Sequence, residues 1–104
     1  MCDDRICGLN VGPSQVLLLF KRQSTTEGVQ MPGGFIPAHD AQGQIHFAFA
    51  IDDDSYEVWR AYLQELEVEI LSEVTADRGG RSLYFRDPDG HLVELATPKL
   101  WPNY

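Results

Sequence analysis

The sequence is short of positive charge. Eight Lys and Arg stand against sixteen Asp and Glu in 104 residues, giving a formal net charge of −8. That balance excludes a phosphate-backbone binder, which needs a basic footprint, and disfavours an anionic membrane surface. No nucleic-acid or membrane partner is expected. No apolar run approaches the roughly 20 residues that cross a bilayer. The opening MCDDRICG is acidic and carries no apolar core of a signal peptide, so a cytoplasmic protein is expected. Cysteine is scarce too. Cys2 and Cys7 match no common zinc spacing and are read as reduced thiols, Cys7 packed in a strand. No internal repeat, low-complexity tract or charge block occurs. What is present is an ordinary 43% of hydrophobic residues, in a chain sized for one domain with a single modest core.

RICGLNVG and SQVLLLFK read as a hairpin turning at Gly12-Pro13-Ser14. Val16 to Phe20 is a continuous apolar run, which predicts a strand covered on both faces. The stretch from Arg22 to Gly43 reads as a long polar loop, a feature that often marks a functional edge. A regular unit follows. His46–Ile51 is a strand. Asp54 with Glu57 three residues on resembles a capping box for a helix reaching about Glu67, and Trp59, Tyr62, Leu63 and Leu66 form its apolar stripe. VEILSEV is a strand with Val68, Ile70 and Val74 on one face and Leu71 on the other. RSLYFR and HLVELAT are strands joined by DPDG, which suits a type I turn. PKLWPNY reads as a docked tail. The order from His46 is β-α-β-β-β, in a mixed or antiparallel sheet with the helix on one side.

Alternation assigns the faces. Phe47, Phe49, Ile51, Leu83, Phe85, Val93 and Leu95 form the surface the helix covers. Burying each is worth roughly 1.5–3 kcal/mol, which sets the register. The opposite face carries His46, Ala48 and Ala50, then Ser82, Tyr84 and Arg86, then Leu92, Glu94 and Ala96. Small and polar groups of this kind line a cavity or a solvated groove. Glu94 stands mid-strand, where an unpaired buried carboxylate is costly, so it is solvated, hydrogen-bonded or bound to a cation. His46 is a natural co-ligand, since imidazole and carboxylate suit divalent first-row metals. The alternatives are a Glu94 facing water beside Arg86, and a strand-end His46 bonded to a loop. His39, beside Asp40, reads as solvated, with a replacement-ligand role as the other option. His91 reads as structural.

GQIHFAFAI and GGRSLYFRDPDGHLVELATP resemble the vicinal oxygen chelate superfamily, the glyoxalase, bleomycin-resistance and extradiol dioxygenase group. The resemblance covers residues 43 to 98 and extends more weakly through GLNVGPSQVLLLF. It implies an α+β fold: one complete βαβββ module at about 45–98, preceded by a hairpin from a truncated first βαβββ module, in a mixed, curved sheet. Residues 1–104 are then a single glyoxalase-like domain without the strand-helix-strand that opens the family's first module. A shortened gene, an internal start or a second copy of the chain would each account for that. The last predicts a homodimer, because an uncovered sheet edge pairs readily with another chain.

Carried over residue by residue, the resemblance implies His46 and Glu94 as metal ligands. Glu94 and Tyr84 become the catalytic pair, and Ser82, Tyr84 and Arg86 contact substrate. The implied function is a divalent-metal-dependent enzyme (Fe, Mn, Zn or Ni) acting on a small oxygen-bearing substrate as a lyase, dioxygenase or thiol transferase. The alternatives are a non-catalytic, metal-free binder of a small-molecule drug, and an inactive domain that persists as an oligomer. His46 and Glu94 alone do not complete a facial triad of two histidines and a carboxylate.

Overall fold

The computed structural model describes residues 1–104 as two compact units, Met1–Gly43 and Gln44–Tyr104. In the first, β1 (Ile6–Gly12) and β2 (Gln15–Phe20) form the expected antiparallel hairpin, with Leu9 opposite Leu17. The segment read as a loop contains a second, short hairpin, β3 (Val29–Met31) with β4 (Gly34–Ile36). The expectation of a β2 covered on both faces is corrected. Val16, Leu18, Leu19 and Phe20 are all exposed, because a two-stranded ribbon offers no second layer within its own unit. His39 donates its backbone N–H to the Thr25 carbonyl and sets its ring edge against Phe20, 4.6 Å between centroids.

The reading of Cys2 and Cys7 as free thiols is also corrected: their sulfurs are bonded. The Asp3 carboxylate accepts the N–H groups of Arg5 and Ile6, and this tight turn lays Cys2 opposite Cys7 in an isolated antiparallel bridge. The same two N–H groups hold the Asp3 carboxyl below the usual carboxylate range. Spacing alone carried no trace of that turn.

The second unit has the order anticipated: β5 (His46–Ala50), a 3-10 turn (Asp53–Ser55), α1 (Tyr56–Glu65), β6 (Ser72–Thr75), β7 (Arg81–Arg86) and β8 (Leu92–Ala96). The sheet is open and mixed, ordered β5-β8-β7-β6, with β5 parallel to β8 and the other pairs antiparallel. Tyr56 and Leu63 of α1 pack on Leu83 and Leu95, flanked by Phe49, Ile51, Val68, Ile70 and Phe85. The face assignment made from alternation is therefore the one the sheet adopts.

Three details of the helical segment differ. Trp59, Tyr62 and Leu66 are exposed rather than core, and Trp59 meets Tyr62 edge to face instead. Only Tyr56 and Leu63, two turns apart, reach the sheet, so the buried seam is narrower than the apolar stripe. Asp54 does not cap the helix; Ser55 holds that position, and neither side chain makes a capping bond. The local acids are drawn to Arg81, whose guanidinium pairs with Glu57 at 3.2 Å and Asp53 at 3.6 Å while lying over the Tyr56 ring. Val74 is exposed and pairs with Ser82, so it shares the face opposite the helix, and Glu73 takes the helix side.

There Glu73 accepts the Tyr56 hydroxyl at 2.8 Å and Arg60 Nε at 2.9 Å. Burial, and then the Glu73 carboxylate, push the Tyr56 phenol up to about 12, while the Tyr56 hydroxyl lowers Glu73. The tail docks through its backbone: a Cβ on Gly80 would strike Lys99 and Leu100, while Trp101 stays exposed.

Candidate metal and substrate site

Register brings the candidate residues together. His46 pairs with Leu92, Ala48 with Glu94 and Ala50 with Ala96 across β5 and β8. Across β7 and β8, Tyr84 pairs with Glu94, Ser82 with Ala96 and Arg86 with Leu92. Residues opposite each other share a face, so all five candidate side chains stand on the face away from the helix. On that face His46, Ala48 and Ala50 are exposed, whereas Ser82 and Ala96 are buried. A hollow of about 440 Å³ lies elsewhere, lined by Arg60, Gln64, Val68 and Glu73 among others.

His46 Nε2 lies 3.0 Å from Glu94 Oε1, and His46 Nδ1 lies 3.1 Å from the Leu92 carbonyl oxygen. A carbonyl and a carboxylate both only accept, so Nδ1–H donates to Leu92 and the Nε2 edge meets the carboxylate either as a second N–H or as a lone pair. Two acceptors that close repel unless a cation joins them, either a proton on Nε2 or a metal ion. Two donors each about 2.1 Å from one ion and at a right angle to each other lie about 3 Å apart, so the pair fits a divalent metal. The Glu94 side chain is only 14% exposed and that of His46 48%, which leaves the imidazole as the approachable side.

The Tyr84 ring centroid is 6.0 Å from that of His46. Ser82 Oγ donates to the Tyr84 hydroxyl at 3.3 Å, leaving the phenol hydrogen for another acceptor. Ser82 itself is buried under this contact. Arg86 Nη1 donates to the Gly90 carbonyl at 3.1 Å, so the guanidinium braces the turn before β8 with one of its five donors.

One cluster escaped the sequence reading. Side-chain donor atoms of Asp87, Asp89 and His91 lie within 4.8 Å of one another at that turn. Two of the three are already engaged. Asp87 Oδ1 accepts the N–H groups of Asp89 and His91, and His91 Nδ1 accepts the N–H of Ile45 at 3.0 Å. A neutral His91 with Nδ1 as acceptor carries its hydrogen on Nε2 and has no lone pair left for a metal. The Asp-x-Asp-Gly-His spacing was the available signal, and its hydrogen bonds read as turn geometry.

The family model of the Glyoxalase/Bleomycin resistance protein/Dioxygenase superfamily matches residues 5–95. Among curated proteins the chain is 43% identical over 67 residues to "Metallothiol transferase FosB" of Staphylococcus epidermidis, covering 62% of this chain and 47% of that protein. It is 38% identical over 61 residues to the protein of the same name from Shouchella clausii, covering 57% and 42%. The chain thus spans about half the length of the curated relatives it matches. Among solved structures it superposes on a lactoylglutathione lyase from Agrobacterium tumefaciens with a TM-score of 0.82 at 32% identity, covering 98% of this chain and 75% of that one. The fosfomycin resistance protein FosX of Listeria monocytogenes aligns with a TM-score of 0.51 at 27% identity, over 82% of this chain and 60% of that one. The α+β architecture, two hairpins followed by a whole βαβββ unit, is thus shared with the lyase over 98% of this chain. The chain belongs to the Glyoxalase/Bleomycin resistance protein/Dioxygenase superfamily.

Proposed function

We propose that residues 1–104 form one glyoxalase-like domain that acts as a divalent-metal-dependent thiol transferase, joining a thiol to a small, oxygen-bearing electrophile. His46 Nε2 and Glu94 Oε1 hold the metal. The observation that carries this reading is the facing of those two acceptor atoms at 3.0 Å on one sheet face. The likeness to proteins named metallothiol transferase favours thiol transfer over the other reactions of the superfamily.

When bound, the metal supplies a Lewis acid to the electrophile's oxygen. The chain's own groups do the rest. The thiol gives up its proton to solvent, its sulfur forms the new bond to carbon, the carbon–oxygen bond breaks, and the oxygen that receives the electron pair takes up a proton from solvent. Tyr84, its hydroxyl already accepting from Ser82, gives its hydrogen bond to that oxygen. Small side chains at Ala48, Ala50 and Ala96 leave room beside Glu94 for a compact substrate. Arg86, tied to the Gly90 carbonyl, places positive charge at the rim for an anionic substituent.

Two protein ligands leave the coordination sphere incomplete, and β2 exposes an apolar face. A second copy of the chain covers that face and brings further ligands, making the working form a homodimer.

Metal analysis after dialysis against Mn, Ni or Zn tests the centre. The parent retains about one equivalent per site, while His46→Ala and Glu94→Ala retain at least tenfold less and keep the parent's circular dichroism. Thiol consumption with a small epoxide falls in parallel. A parent that binds no metal, or variants that bind it as the parent does, overturns the reading.

A further inference from the structure

Two strands that never touch in sequence must be held level for His46 to face Glu94. Three hydrogen bonds across the strands, and one within the turn before β8, do this. Leu92 donates its N–H to the Ile45 carbonyl at 2.8 Å, and its own carbonyl receives His46 Nδ1–H at 3.1 Å. Ile45 in turn donates its N–H to His91 Nδ1 at 3.0 Å, and His91 donates its backbone N–H to Asp87 Oδ1 at 2.8 Å. The chain of contacts runs from the turn carboxylate through one imidazole to the residue just before the other. His91 is a side chain filling a position that a strand backbone would otherwise fill, since β8 starts only at Leu92.

We infer that His91 is a positioning residue for His46: by anchoring Ile45 it keeps His46 Nδ1–H on the Leu92 carbonyl, and so aims Nε2 at Glu94, where the two would share a metal. The inference rests on the proposed metal site, and it deepens that reading by naming what orients its imidazole. Without the anchor, the start of β5 frays from β8. The imidazole then loses its bond to the Leu92 carbonyl, and with it the fixed aim of Nε2 at Glu94. Outer contacts of this kind change metal affinity by about ten- to a hundredfold when removed.

The test uses the whole chain and two variants. His91→Asn keeps an acceptor oxygen where Nδ1 stands; His91→Phe keeps a planar ring without one. The first readout is the solvent exchange of the His46 Nδ1 hydrogen, followed in the side-chain nitrogen spectrum of the metal-free protein. The parent and His91→Asn are expected to hold that hydrogen on the Leu92 carbonyl in slow exchange, and His91→Phe to release it to fast exchange. The second is zinc affinity by calorimetry: about tenfold or more weaker in His91→Phe, and within about threefold of the parent in His91→Asn. The same Nδ1–H exchange in all three proteins, or His91→Asn failing as badly as His91→Phe, overturns the inference. If His91→Phe does not fold, the His91→Asn spectrum still decides: a fast-exchanging His46 Nδ1 hydrogen there counts against the inference, and a slow-exchanging one supports it. A parent that holds no zinc but protects its Nδ1 hydrogen, as His91→Asn does, strikes the proposed metal site and leaves the anchor standing.

Discussion

Residues 1–43 and 44–104 come from one chain with one composition, yet they are built on opposite terms. Every buried residue lies in the second unit, from Tyr56 to Thr97; the first has none. Both contain hairpins with alternating apolar residues. The second adds one helix, and through Tyr56 and Leu63 that helix turns a sheet into two layers. The first has two separate two-stranded ribbons and nothing to lay on them. Apolar content does not make a core; a second layer does.

Substitutions in each unit test that contrast. The largest effect is expected from Leu83→Ala, which empties a side chain with no exposed surface. It should cost about 2–5 kcal/mol in urea unfolding at concentrations too low for association, against less than about 1 kcal/mol for Leu18→Ala on the exposed ribbon. Equal costs would mean the ribbon is as well packed as the module. Next comes association. If the apolar face of β2 is covered by a second copy, Leu18→Asp weakens the dimer by at least about tenfold, or about 1.4 kcal/mol, in sedimentation equilibrium. A parent that is monomeric at micromolar concentration removes the second copy as the cover.

The smallest effect belongs to the Tyr56 phenol, held near 12 by burial and by Glu73. A group raised on folding stabilises fully below its unfolded value of 10.0 and loses that contribution as pH climbs toward 12. Unfolding between pH 9 and about 12 should therefore show a decline that Tyr56→Phe abolishes, with a baseline loss of about 1–2 kcal/mol for the bond to a charged acceptor. A Tyr56→Phe protein with the parent's alkaline profile would place the titration elsewhere.

How much of the site was legible follows from these same forces. Alternation in HFAFA, RSLYFR and LVELA placed His46, Tyr84 and Glu94 on one face. Burying Phe49, Leu83 and Leu95 on the other face leaves no freedom in register. The helix stripe was misread because spacing marks which residues are apolar along a helix, not how wide a seam the sheet can meet; Trp59 and Leu66 lie beyond it. Cys2 and Cys7 were misread because their meeting depends on the Asp3 turn. His91 was rightly taken as structural, but its acceptor role toward Ile45 joins residues 46 positions apart.

Taken alone, the sequence determined the order of elements from His46 onward, the face each strand residue occupies and the family to which the chain belongs. These follow from local periodicity, turn chemistry and motif. Only the tertiary structure decided that β5 lies parallel beside β8, bringing His46 Nε2 to 3.0 Å from Glu94 Oε1. It also decided which bond fixes the imidazole. The physical reason is that strand pairing and hydrogen-bond direction depend on neighbours far along the chain, and no local pattern encodes them.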